Sequence, residues 1–238
     1  MREKPLQKQK HTQENGNVLI FILIAVFLLG ALTAMFVRSS GKSEETGSTE
    51  RGSIYASAIV RNSAATETAI HNLLTRGCSE SELNFYTTSS GAPSANPSAP
   101  TDNSCDIYNV AGGGLTPYIN ATSYPYFTTG DVSNIGSTAA DLIEVVAYDN
   151  KDDAAVGLSD ETCKSLNNAL GNGFSFTALP SADLTGGSRF TGSFSGAPQY
   201  GYGGGSVAMD KIKAGCITDT GCNSGAGCYS FYNIILKR

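Results

Sequence analysis

At 238 residues the chain can hold one apolar segment and one domain of ordinary size with its own core. Charged residues make up only 16%, against roughly 25% in average soluble proteins, so Ser, Thr, Asn and Gly must supply the polar surface; the 40% hydrophobic content excludes a disordered chain. A formal net charge of −5, with no basic stripe interleaved with aromatics, argues against nucleic-acid binding.

The chain begins with a basic stretch holding Arg2, Lys4, Lys8 and Lys10, which suits a cytoplasmic leader over residues 1–16. Val18 to Phe36 then reads VLIFILIAVFLLGALTAMF and contains no charge. About 20 such residues at about 1.5 Å each cross a hydrocarbon core of about 30 Å, so the expectation is a transmembrane helix over 17–37. A buried soluble helix fits less well, because the run is apolar on every face and follows a basic tail. A cleaved secretory signal also fits less well: its apolar region is usually about 7–15 residues, and Leu32-Thr33-Ala34 is not a small-x-small site. Basic residues flank the run on both sides, with Arg38, Lys42 and Arg51 after it, and leave orientation nearly balanced.

The cysteines break that balance. Cys78, Cys105, Cys163, Cys216, Cys222 and Cys228 all follow the apolar run, which points to disulfides in an oxidising compartment and a C-terminal domain outside the cytoplasm. Six cysteines allow 15 pairings. The pairing favoured is Cys78 with Cys105, Cys163 with Cys216, and Cys222 with Cys228, and the sequence leaves the choice open.

Residues 38–77 read as a hinge and a spine helix. Ser39 to Gly52 is rich in Ser, Gly, Thr and Glu. Ser53 to Arg76 follows as a helix with Ile59, Thr66, Ile70, Leu73 and Leu74 on one stripe and Gly77 as its C-cap. Ser89 to Ser104, with three prolines, is a loop bracketed by Cys78 and Cys105. Ala140 to Ala147 (ADLIEVVA) is a strand candidate resting on Leu142, Ile143, Val145 and Val146. Ser159, Thr162 and Gly171 frame a short capped helix whose inner side carries Cys163, Leu166 and Leu170. Residues 174–179, 189–194, 206–212 and 229–236 read as further strands. The expected fold class is α+β: a long N-terminal membrane and spine helix, then an antiparallel-sheet domain with disulfides over 78–238.

Catalytic material is scarce. The only histidines are His11 in the leader and His71 mid-helix, so a Ser-His-Asp or Cys-His device lacks a base, and no G-x-S-x-G or C-x-x-C occurs. Cys216, Cys222 and Cys228 are spaced too widely for a zinc site. Asp149, Asp152 and Asp153, with Asn150 among them, offer oxygen ligands of the kind calcium takes, but EF-hand spacing is not met and a solvated turn is the plainer reading. The expectation is no enzyme, no cofactor, and calcium as the one candidate ion.

Gly16-Asn17-Val18-Leu19-Ile20-Phe21-Ile22-Leu23-Ile24-Ala25-Val26 resembles the N-terminus of type IV pilin-like proteins and pseudopilins. Those proteins carry a short basic leader ending in Gly, which a prepilin peptidase removes, and then an apolar helix that serves first as anchor and later as filament core. The resemblance implies a cut between Gly16 and Asn17. It departs from the family in two places: Asn17 replaces the usual Phe or Met, and Phe21 stands where most pilins carry Glu. Tip-type minor pseudopilins also lack that Glu. The resemblance therefore implies a minor pilin-like subunit of a type IV pilus or type II secretion-like filament. Its partners would be the inner membrane, other pilin-like subunits, assembly machinery and the prepilin peptidase, with the C-terminal domain periplasmic or extracellular. The alternative is an unprocessed bitopic surface-binding protein or adhesin.

Overall fold

The computed structural model describes residues 17–86, 95–116, 125–132, 135, 140–147, 157–184, 189–194, 199–200, 209, 211–220 and 228–238, with backbone alone at 17–19, 34–46, 177 and 199–200. The chain divides into two compact units, Met1–Gly47 and Ser48–Arg238.

Helix α1 runs Asn17–Thr75, and its backbone stays helical through the stretch read as a hinge. In the first unit every described side chain from Ile20 to Thr33 is exposed. The expected membrane-spanning spine helix does not hold: among the described residues, no helix is long and apolar enough to cross a membrane. Beyond Phe36 the sequence of α1 carries charge at Arg38, Lys42, Glu44, Glu45, Glu50 and Arg51.

In the second unit α1 buries Gly52, Ala56, Ile59, Ser63, Thr66, Ile70 and Leu73. Steps of three and four residues keep this stripe on one face of a helix with 3.6 residues per turn. The helix stops at Thr75; Gly77 takes φ +105°, open to glycine, and Cys78 N–H donates to the Leu73 carbonyl at 3.1 Å.

The stripe packs on a six-stranded sheet. In chain order the strands are β1 (Tyr126–Val132), β2 (Asp141–Val146), β3 (Ser181–Ala182), β4 (Gln199–Tyr200), β5 (Ala214–Asp219) and β6 (Tyr229–Leu236), and their spatial order is β3-β5-β6-β2-β1-β4. The four central strands pair antiparallel, while β3 joins β5 and β4 joins β1 in parallel. The sheet is therefore mixed, which corrects the antiparallel expectation. Its parallel edges are only two residues long and present few unpaired backbone groups to a second chain.

Both faces of the central strands are covered. On one face Ile143 and Val145 of β2 pack with Tyr232 and Ile234 of β6, Ile217 of β5, Leu184 and Met209. On the other, Leu142 and Phe127 meet Ile70 and Leu73 of α1, while Val146 and Phe231 meet Ala56 and Ile59. Burial on two sides explains why β1 and β2 are buried at every residue.

The second helix, α2 (Asp160–Leu170), is capped at both ends. Ser159 Oγ accepts from Thr162 N–H at 3.3 Å, and Gly171 takes the left-handed conformation with φ 61°. Three strand readings fail. Phe176–Ala178 is a 3-10 turn; 189–194 contributes one bridge, Arg189 to Thr128; and the described residues of 206–212 form no strand.

Candidate functional site

Strand β2 presents Leu142, Glu144 and Val146 toward the face that packs on α1, so an acidic residue lies between two apolar ones in a covered sheet. Glu144 is fully buried. Its cross-strand partners are Phe127 on β1 and Asn233 on β6. Helix α1 supplies the hydroxyl that answers it: Ser63 Oγ donates to Glu144 Oε2 at 2.5 Å and accepts from Asn233 Nδ2 at 2.8 Å. Glu144 Oε1 has no hydrogen-bond partner.

Loss of water pushes the Glu144 carboxyl up to about 7; the hydroxyls of Ser63 and Thr66 partly oppose this, and the charge of Glu67 adds to it. Glu67 itself is paired, its Oε1 lying 2.5 Å from Lys213 Nζ and 3.9 Å from His71 Nε2. The site is a buried, hydrogen-bonded seat for α1 at the centre of the sheet. It carries no nucleophile and base set of the kind hydrolases use.

The cysteines hold the rest of the domain around this seat. Cys78 bonds Cys105 and Cys163 bonds Cys216, two of the pairings favoured from sequence, and Cys228 is also disulfide-bonded. Cys222 lies outside the described residues. The bridge from Cys163 ties α2 to β5, and Asn167, one turn further along α2, reinforces it. Its amide donates to the Cys216 carbonyl at 3.0 Å and accepts from the Cys216 N–H at 2.8 Å.

The other site residues read from sequence do not join this cluster. Gly16 lies outside the described residues, and Asn17 begins α1. Phe21 is 65% exposed within an apolar helical run. Asp149, Asp152 and Asp153 lie outside the described residues, and among the described residues no group of three or more His, Cys, Asp or Glu could hold a metal ion.

No protein-family model, no curated protein and no solved structure matches this chain.

Sequence reasoning missed Ser63, Glu144 and Asn233 as a unit. One signal was present: Glu144 interrupts the apolar run Leu142-Ile143…Val145-Val146 of β2. Nothing local in the sequence marks its partners, which lie 81 residues away for Ser63 and further still for Asn233.

Proposed function

We propose that this chain is a non-catalytic, pilin-like or minor pseudopilin-like subunit of a pilus or secretion-like filament, with a disulfide-bonded domain outside the cytoplasm. The observation that carries the reading is the exposed apolar segment of α1. Ile20, Phe21, Ile22, Leu23, Ile24, Val26, Phe27, Leu28, Leu29 and Leu32 are each more than half exposed. An apolar surface of that extent is covered in the working protein. In a filament the same segments of neighbouring copies cover it, each helix burying its apolar side chains against the next. The leader-like residues ending at Gly16 and the cysteine-bonded domain support the same reading. Phe21 in place of an acidic residue favours a minor or capping position, because it offers no carboxylate to pair with a neighbour's terminal amine.

The test is the mass and N-terminal sequence of the mature protein from its native cells, with cross-linking of a Phe27→Cys variant. A start at Asn17 and a Phe27→Cys cross-link between copies, or to another pilin-like chain, is the expected result. An intact Met1 with no such cross-link favours the unprocessed surface-binding alternative and overturns the filament reading.

A further inference from the structure

We propose that Glu144 and Ser63 form a pH-operated latch: the protonated acid holds α1 on the sheet, and loss of its proton loosens that seat.

The geometry disfavours a carboxylate at Glu144. Ser63 has one hydroxyl proton, and it goes to Glu144 Oε2, while Asn233 Nδ2 occupies the serine oxygen as a donor. A carboxylate has two oxygens that both seek donors. Here Oε1 has no partner and the side chain is sealed from water. The neighbouring strands offer no charge to balance an anion, since β1 places Phe127 beside Glu144 and β6 places Asn233 there. On α1 the nearest titratable group is Glu67, itself an acid. The cation on this side, Lys213, is committed to Glu67 at 2.5 Å, and His71 lies 3.9 Å from the same oxygen. An anion at Glu144 would be buried with only the hydroxyls of Ser63 and Thr66 to favour it and a like charge on Glu67 against it, an arrangement relieved by letting water between the helix and the sheet.

The location makes this a latch. Toward the N-terminal side of Ser63, α1 rests on Val146 and Phe231 through Ala56 and Ile59; toward the C-terminal side, it rests on Leu142 and Phe127 through Ile70 and Leu73. The polar seat sits between these two apolar contacts, so its charge state governs the middle of the helix–sheet interface.

The direction follows from the two states of the group. In the unfolded or opened chain Glu144 has its ordinary value near 4.5, and in the closed domain it is held at about 7. Between those values the closed domain keeps a proton that the open one has lost. The closed form therefore weakens as pH rises through this window and is weakest above about 7.

Hydrogen–deuterium exchange of the full chain, read on peptides from the 56–73 segment from pH 5 to 8.5 and corrected for intrinsic exchange, tests the latch. In the wild type the protection of α1 is expected to fall by nearly two orders of magnitude across that range. In Glu144→Gln, which stays neutral, the share of the fall that comes from Glu144 is expected to be absent. Asp141, also raised by burial, titrates in both proteins, so the difference between the two profiles isolates Glu144. Equal profiles for wild type and variant overturn the proposal, as does a wild-type profile that does not change with pH. If Glu144→Gln does not fold, carbon-13 NMR of the wild-type Glu144 carboxyl decides: a midpoint near 7 supports the latch, and an ordinary midpoint near 4.5 overturns it.

Discussion

Glu144 on β2 and Asn233 on β6 are direct partners across the centre of the sheet, and one hydroxyl, that of Ser63 on α1, bonds both. A single small side chain thus satisfies two strands at once. The apolar contacts of Ile59 and Ile70 press the helix down, while the serine sets its rotation and register on the sheet. That division of labour is a common use of a buried polar group in an apolar interface.

Replacing Ser63 with alanine removes the donor to Glu144 and the acceptor for Asn233 without adding bulk. The expected loss of stability is about 1–3 kcal/mol, the usual penalty for leaving buried polar groups unpaired. Urea unfolding at pH 5, where Glu144 is protonated in the folded domain, measures it. Adding Glu144→Leu to Ser63→Ala is expected to recover part of the loss, because an apolar side chain asks for no partner. A double variant less stable than Ser63→Ala alone would show that the acid stabilises the fold by some other contact.

Two glycines in α1 respond to alanine with opposite sign. A Cβ on Gly52 would lie 2.7 Å from the Glu161 carbonyl carbon and 2.8 Å from its Cβ, so α2 could not keep its position. Gly52→Ala is expected to destabilise by about 1–3 kcal/mol through overpacking, even though alanine suits a helix better than glycine. Gly47 has nothing within 4 Å of an added Cβ. Gly47→Ala is expected to raise helical stability by up to about 1 kcal/mol. Thermal unfolding followed by circular dichroism reads both changes, and a stabilising Gly52→Ala would contradict the close approach of the two helices.

Removing the buried bridge with Cys163→Ala and Cys216→Ala opens a loop of sequence separation 53. The expected loss is about 4 kcal/mol in the chain-entropy account. Asn167→Ala leaves the bridge intact but strips the Cys216 N–H and carbonyl of their partners, with an expected loss of about 2–3 kcal/mol. Denaturant midpoints of the two variants, compared under non-reducing conditions, check both figures.

The parts legible in the sequence were those with local signals. Helix α2 announces itself through Ser159 and Gly171, and β2 and β6 through short apolar, β-branched and aromatic runs. Strand β1 (YFTTGDV) was not legible, because Gly130 and Asp131 are poor strand residues and its burial on both faces removes any alternation. Strand β5 opens on Ala214-Gly215, which carries no strand preference of its own, and is held in place by β6 and by Asn167. The run at 174–179 has aromatic mass but holds a 3-10 turn at Phe176–Ala178, and its first residue, Phe174, packs against the core from the loop rather than from a strand.

By itself the sequence determined that an apolar segment precedes a cysteine-bearing α+β domain, that α1 carries a stripe at helical spacing, and that α2 begins and ends where its caps stand. These follow from covalent order and from interactions within a few residues. Which cysteines pair, and what Glu144 faces, were decided by the tertiary structure alone. Cys163 meets Cys216 across 53 residues, and Ser63 meets Glu144 across 81. A residue's partners at such separations are set by how the sheet and helices pack, and the free energy of a buried charge depends on those partners rather than on its neighbours in the chain.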